Sequence, residues 1–142
     1  MAEFPPDGRL TLASYVWPDQ RTRLAALEGA LTVASRVPAR IARAHAAHWL
    51  ADRLADATGG ASTIVYHSIA WQYFADEERQ RVRDLIEQAG TRATPDAPLA
   101  WLRLEPAPEQ RFCELRVRSW PGGEDRRLAT AGFHGVPVVW LG

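Results

Sequence analysis

The sequence predicts an α/β domain whose mixed sheet starts parallel and ends antiparallel. Three observations carry that expectation. Apolar residues recur at helical spacing in three separate stretches of the first ninety or so positions. Short β-rich segments lie between them; the strongest, residues 62–67, is apolar on both faces, as a buried parallel strand is. After residue 111 the period drops to two and tight-turn residues separate the runs. Alternating strands and helices imply right-handed crossovers in a parallel sheet, and the terminal hairpins imply its antiparallel extension.

Taken in order, residues 1–8 form a lead-in. Leu10 and Leu12 alternate with polar neighbours, which predicts a first strand over residues 9–14. Trp17-Pro18-Asp19-Gln20 opens a helix. Proline suits the first turn because its missing N–H would have no helical partner, and Asp19 faces the positive end of the helix dipole. Leu24, Leu27, Leu31 and Ala34 carry that helix to about residue 35. Pro38 makes residues 37–41 an edge strand or a strand start. A second helix over 44–57 places Ala47, Leu50 and Leu54 on one face, with Thr58-Gly59-Gly60 as its stop. The strand at 62–67 follows, then an aromatic connector at 69–74. Asp76, Glu77 and Glu78 occupy the first turn of a third helix, buried through Val82, Leu85, Ile86 and Ala89 and ended by Gly90. Residues 99–104 form a strand. Residues 112–119 set Cys113, Leu115 and Val117 opposite Glu114, Arg116 and Arg118. Pro121-Gly122-Gly123 turns the chain into a strand at 126–131. Phe133-His134-Gly135 turns it again, into a last strand at 136–141.

The chain has 142 residues and seventeen groups of each charge, and all seventeen cations are arginine. That length fits one domain spanning the whole chain. Zero net charge argues against a nucleic-acid partner, which requires excess positive charge to displace counterions. One cysteine excludes a disulfide framework and a Cys-rich zinc module. No apolar run nears the roughly 20 residues that span a bilayer, so no membrane partner is expected. No signal-peptide pattern opens the sequence, and a cytoplasmic location is expected.

Several strings belong together. They are Ser14-Tyr-Val-Trp-Pro-Asp-Gln20 with Arg23-Leu24, His48-Trp49-Leu50, Thr63-Ile-Val-Tyr-His-Ser-Ile-Ala-Trp-Gln-Tyr73, Thr94-Pro-Asp-Ala-Pro-Leu-Ala-Trp-Leu-Arg-Leu-Glu105 and Trp120-Pro-Gly-Gly123. In this order they resemble the C-terminal portion of the bacterial family DUF2332, over about residues 8–141. The resemblance brings no biochemical activity with it. It implies a longer parent with a further N-terminal half. At His45 and His48 the sequence departs from the family's usual pattern of an acidic and a small residue. The order of elements also resembles the second half of a class I S-adenosylmethionine-dependent methyltransferase. That likeness implies a Rossmann-like sheet, with residues 66–73 in the substrate-facing loop. Such an enzyme needs a first strand ending in a glycine-rich turn. Here Gly8 precedes the first expected strand, Gly59-Gly60 precedes another, and Gly122-Gly123 sits in a hairpin.

The candidate ligand residues are Asp19, His67, Ser68, Gln72 and Tyr73. His67 and Ser68 end the most buried-looking strand, where ligands bind in open α/β sheets. They point to opposite faces if extended, so they make no nucleophile–base pair, and a satisfied strand-end histidine is the competing reading. Asp19 could meet a ribose hydroxyl or cap a helix. Trp71, Gln72 and Tyr73 could stack a planar ligand or plug the sheet end. Glu105 could be a site carboxylate or a solvated strand end. His45 and His48 have metal-ligand spacing but no evident third ligand, so no metal is expected. Arg116, Arg118, Arg126 and Arg127 could gather anions, but Glu114, Glu124 and Asp125 neutralise that region. Cys113 shares an apolar face, so buried packing is its default. The residues leave open whether there is a reaction at all. Two functions stand: a domain without its own catalytic set, acting through assembly or as half of a composite site, or a methyltransferase-like domain binding S-adenosylmethionine or a related small molecule. The expected partners are a second copy, paired through the apolar segment 136–141, or the missing N-terminal half, with a small molecule as ligand.

Overall fold

The computed structural model describes residues 6–37, 39–55 and 60–142. They fall into two compact units, residues 1–43 and 44–142. The first unit holds two helices, α1 (Pro6–Ser14) and α2 (Arg21–Arg36). The expected strand at 9–14 is therefore a helix. Two alternating leucines do not fix a period. Arg9, Leu10, Leu12 and Ala13 are good helix formers, and Pro6 and Asp7 suit a helix start. The Ser14 hydroxyl closes the helix end by donating to the Thr11 carbonyl, 2.7 Å away. Helix α2 follows as expected, with Leu31 buried, but Gln20 is its N-cap and no side chain caps it. Asp19 contributes only its backbone carbonyl, which accepts from the Arg21 N–H at 3.0 Å. No strand forms at residues 39–41, and Pro38 lies outside the described residues. So do most of the expected lead-in and, at the end of the next helix, residues 56–59, including Thr58 and Gly59.

The second unit begins with α3 (Ala46–Ala55), whose Ala47, Leu50 and Leu54 are buried as their spacing requires. Its first turn is satisfied across the fold, because Glu78 Oε1 accepts the Ala47 N–H at 2.8 Å. Strand β1 (Thr63–Ser68), a single 3₁₀ turn (Trp71–Tyr73), α4 (Asp76–Thr91) and β2 (Leu99–Pro106) follow. Then come β3 (Cys113–Trp120), β4 (Glu124–Ala131) and β5 (Val138–Trp140). The five strands form one mixed sheet in chain order. Only β1 and β2 are parallel, joined through α4; β2 to β5 form an antiparallel meander. Where four parallel strands were expected, the described residues form one βαβ unit, because residues 9–14 are helical and residues 39–41 carry no strand.

Strand β1 also corrects an expectation. It is an edge strand, with Ile64 67% and Tyr66 57% exposed on one side. Its Ile, Val and Tyr reflect β propensity rather than burial on both faces. The other face packs under the helices. Leu50, Leu54, Val82, Ile86 and Ala89 meet Val65, Leu99, Trp101 and Trp120 there. Cys113 is fully buried, and burial pushes its thiol pKa up. At the far edge, β5 leaves Val138, Val139 and Trp140 exposed.

Candidate functional site

The helix-covered face of the sheet is apolar at one end and charged at the other. Period-two geometry places Leu99, Trp101, Arg103 and Glu105 of β2 on that face. The register sets Arg103 between His67 of β1 and Arg116 of β3, and sets Glu105 beside Glu114. Leu99 and Trp101 lie in the core, so Arg103 and Glu105 emerge just beyond it. This is the carboxyl end of the parallel pair, the position at which open α/β sheets bind ligands.

Glu105 organises this end. Its Oε1 accepts three N–H groups: His67 Nδ1 at 2.7 Å, the Ala70 amide at 3.1 Å and the Trp71 amide at 3.3 Å. The chain delivers those amides through a left-handed turn at Ile69, φ +50°. Positive φ is costly for a β-branched residue, of order 1–3 kcal/mol, and persists only where its surroundings enforce it. Here the Ile69 amide is held by the Leu104 carbonyl at 2.9 Å.

The other His67 nitrogen is also occupied. Trp101 Nε1–H donates to His67 Nε2 at 3.0 Å. An indole can only donate, so His67 is neutral, with its proton on Nδ1 facing Glu105. The Trp71 ring stacks on the imidazole at 5.0 Å between centroids. Burial pulls the His67 pKa below its ordinary range; Glu105 opposes this in part and Arg103 adds to it. Protonation would also set two donors against each other at Nε2. A stability consequence follows. Below the unfolded histidine pKa of about 6.5 the unfolded chain takes up a proton that the folded chain does not, so stability falls on acidification. Thermal melts from about pH 7.5 to 5.5 should show a declining Tm, with a shallower slope in His67→Gln. Equal slopes would assign the titration to another group.

Beyond His67 lies a charged lattice. Asp125 accepts from Arg103 at 2.5 Å and from Arg116 at 3.0 Å. Glu114 accepts from Arg116 at 3.0 Å and from Arg127 at 2.7 Å. For both carboxylates burial alone raises the pKa, but the paired guanidinium groups outweigh it and hold both low. Arg118 turns instead to Glu87 and to the Gly123 carbonyl. Three of the four arginines weighed as an anion cluster, Arg116, Arg118 and Arg127, are thus tied to acidic partners.

A cavity of about 160 Å³ opens among these groups, lined by His67, Trp71, Trp101, Arg103, Glu105 and Arg83 of α4, with Arg116 and Glu114 at its side. Two buried atoms of these lining side chains have no hydrogen-bond partner, Arg103 Nε and Glu105 Oε2. The Arg103 guanidinium stacks on Trp101 at 4.4 Å, which holds its plane fixed. The exposed Arg83 side chain makes no hydrogen bond or ion pair among the described residues.

Of the expected site residues, His67 alone lines this cavity. Ser68 lies exposed on the opposite face of β1, as strand alternation demands. The 3₁₀ turn points Trp71 inward and leaves Gln72 and Tyr73 exposed. Tyr73 instead borders a separate groove of about 640 Å³, with His45, His48, Glu77, Glu78 and Arg81. Asp19 belongs to the first unit and is exposed. Among the described residues no three metal-ligating side chains converge. The residues not foreseen as cavity walls are Arg83, Trp101 and Arg103. The signal for two of them was present, since Trp101, Arg103 and Glu105 recur every second residue in one strand.

A family pattern described as an uncharacterised protein conserved in bacteria, DUF2332, matches residues 5–140. The chain belongs to the DUF2332 family. No curated protein and no solved structure matches it. Among the described residues of this DUF2332 chain, no helix is long and apolar enough to cross a membrane.

Proposed function

We propose that this DUF2332 chain is a small-molecule-binding domain without a catalytic set of its own, its ligand seated in the cavity at the carboxyl ends of β1 and β2. The observation that carries this reading is the cavity itself, two of whose lining side chains carry a buried, partnerless atom, Glu105 Oε2 and Arg103 Nε. Buried polar atoms are nearly always satisfied, and each one left unmade costs about 1–3 kcal/mol. A ligand toward which these two side chains turn supplies the missing donor and acceptor.

Binding is favoured over chemistry because the histidine is spent. A general base needs a free lone pair, and that of His67 holds Trp101. Ser68, the nearest hydroxyl in sequence, faces away. The alternative ligand, S-adenosylmethionine, gains no support from the size of the cavity. An engineered cavity of roughly 150 Å³ accommodates benzene, so a nucleoside would project out of this one.

The test is a saturation-transfer NMR screen of a soluble fragment library, followed by titration of hits against the indole N–H signals of Trp101 and Trp71. Hits that move both signals are expected. A screen in which no fragment perturbs either indole overturns the reading.

A further inference from the structure

The sheet has a second face, and its composition is inverted. Strands β2 to β4 send Arg103, Glu105, Glu114, Arg116 and Asp125 to the helix-covered side. To the other side they send Leu102, Leu104, Leu115 and Val117, with Ile64 and Tyr66 beside them on β1. A sheet with one face in water ordinarily turns polar residues that way. Here Ile64 and Tyr66 are exposed and Leu102, Leu104, Leu115 and Val117 only half-buried, whereas Leu99 and Trp101 on the covered side are buried. The charged strand residues of this face are Glu124 and Arg126, two apart on β4. Both are exposed, and neither makes a hydrogen bond or ion pair among the described residues.

The register sorts this face into two neighbouring rows. Tyr66, Leu102, Val117 and Arg126 form one, and Ile64, Ala100, Ser119 and Glu124 the other. The first row is bulky and ends in a cation; the second is slighter and ends in an anion. Rows of that kind complement each other. We propose that this face binds a second copy of the chain, sheet against sheet, about a two-fold axis that crosses the strands between the two rows. Each row then lies over the other row of the second copy. Leu102 meets Ala100, Val117 meets Ser119 and Arg126 meets Glu124, each contact made twice. Sheets stack in this way about 10 Å apart with their strands within about 30° of alignment. From strand spacing and rise, β1 to β4 offer a flat footprint of roughly 400–500 Å² per copy, and protruding side chains add to it, so two copies reach the roughly 1,000 Å² expected of a specific interface. The contact lies on the opposite side of the sheet from the cavity and does not depend on a ligand there.

The experiment is sedimentation velocity of the whole chain over a concentration series, with thermal melts to show that each variant is folded. A monomer–dimer equilibrium is expected. Arg126→Glu and Glu124→Arg each set like charges against each other across the axis, and each should weaken the dimer at least about tenfold. The two changes together restore opposite charges and should restore the dimer. Tyr66→Asp, at an exposed position, should also weaken it. A chain that stays monomeric at millimolar concentration overturns the proposal. So does a dimer that neither charge reversal weakens, or one that the combined change fails to rescue. A dimer broken by Trp140→Glu alone joins through the last strand instead, which overturns it as well.

Discussion

Glu105→Ala is expected to lower the unfolding free energy by about 3–5 kcal/mol, because it strands three N–H donors at once. The imidazole Nδ1–H and the Ala70 and Trp71 amides all converge on Oε1, and all are part-buried. Each orphaned donor carries a desolvation cost, discounted where water enters the adjoining cavity. The Ile69 turn would also lose what its amides were folded to meet, so its backbone strain would no longer be offset. For a chain of this size the Tm should drop by about 10–20 °C. The control stands in the next strand. Glu114, the register partner of Glu105, sits on the same face and is bound only by the arginines Arg116 and Arg127. Glu114 is as buried as Glu105, but its partners are 37% and 45% exposed and Arg116 keeps Asp125, so Glu114→Ala leaves no buried donor stranded and should cost no more than about 1 kcal/mol. Urea unfolding of the two variants decides the matter. Equal losses would mean that Glu105 acts as one more surface charge, not as the acceptor on which the strand end folds.

The contrast between these two glutamates also shows what sequence can and cannot reveal. Alternation puts both on the same kind of face, and nothing local distinguishes them. The difference comes from what lies across the sheet. His67 reaches Glu105 only because β1 pairs in parallel with β2, 38 residues away. Elements whose period is long and clean were legible. Ala47, Leu50 and Leu54 fixed α3, Val82 to Ala89 fixed α4, and Cys113, Leu115 and Val117 fixed β3. Short runs were not, since Leu10 and Leu12 fit a strand and a helix equally well and helix formers around them decided it. In the site, His67 at the end of β1 lines the cavity. Its neighbours in sequence, Ser68, Gln72 and Tyr73, do not line that cavity, whereas its register partner Arg103 does. A residue beside a strand-end histidine points the other way, while one on the adjoining strand shares its face.

Gly90→Ala should destabilise the protein by about 2 kcal/mol, the reverse of what its place in a helix suggests. In an open helix this exchange stabilises by up to about 1 kcal/mol. Gly90 is not the stop it resembles, since α4 runs on to Thr91 with Gly90 buried in its last turn. A Cβ at Gly90 would stand 2.5 Å from both Cδ2 and Cε2 of Trp120. The indole has little room to retreat. It is 7% exposed, Arg118 lies over its ring at 5.1 Å, and the Cβ direction of Gly123 comes within 3.2 Å of its Nε1. Gly123 itself sits at φ +73°, so the turn cannot readily make space either. Overpacking of this kind costs about 1–3 kcal/mol and outweighs the gain in propensity. A double-mutant cycle checks the cause. In a Trp120→Leu background the same Gly90→Ala change should become neutral or stabilising, giving a coupling of about 2 kcal/mol. If Gly90→Ala raises the Tm of the unmodified chain, Trp120 is free to move and the close approach of α4 to β3 is not what holds the helix against the sheet.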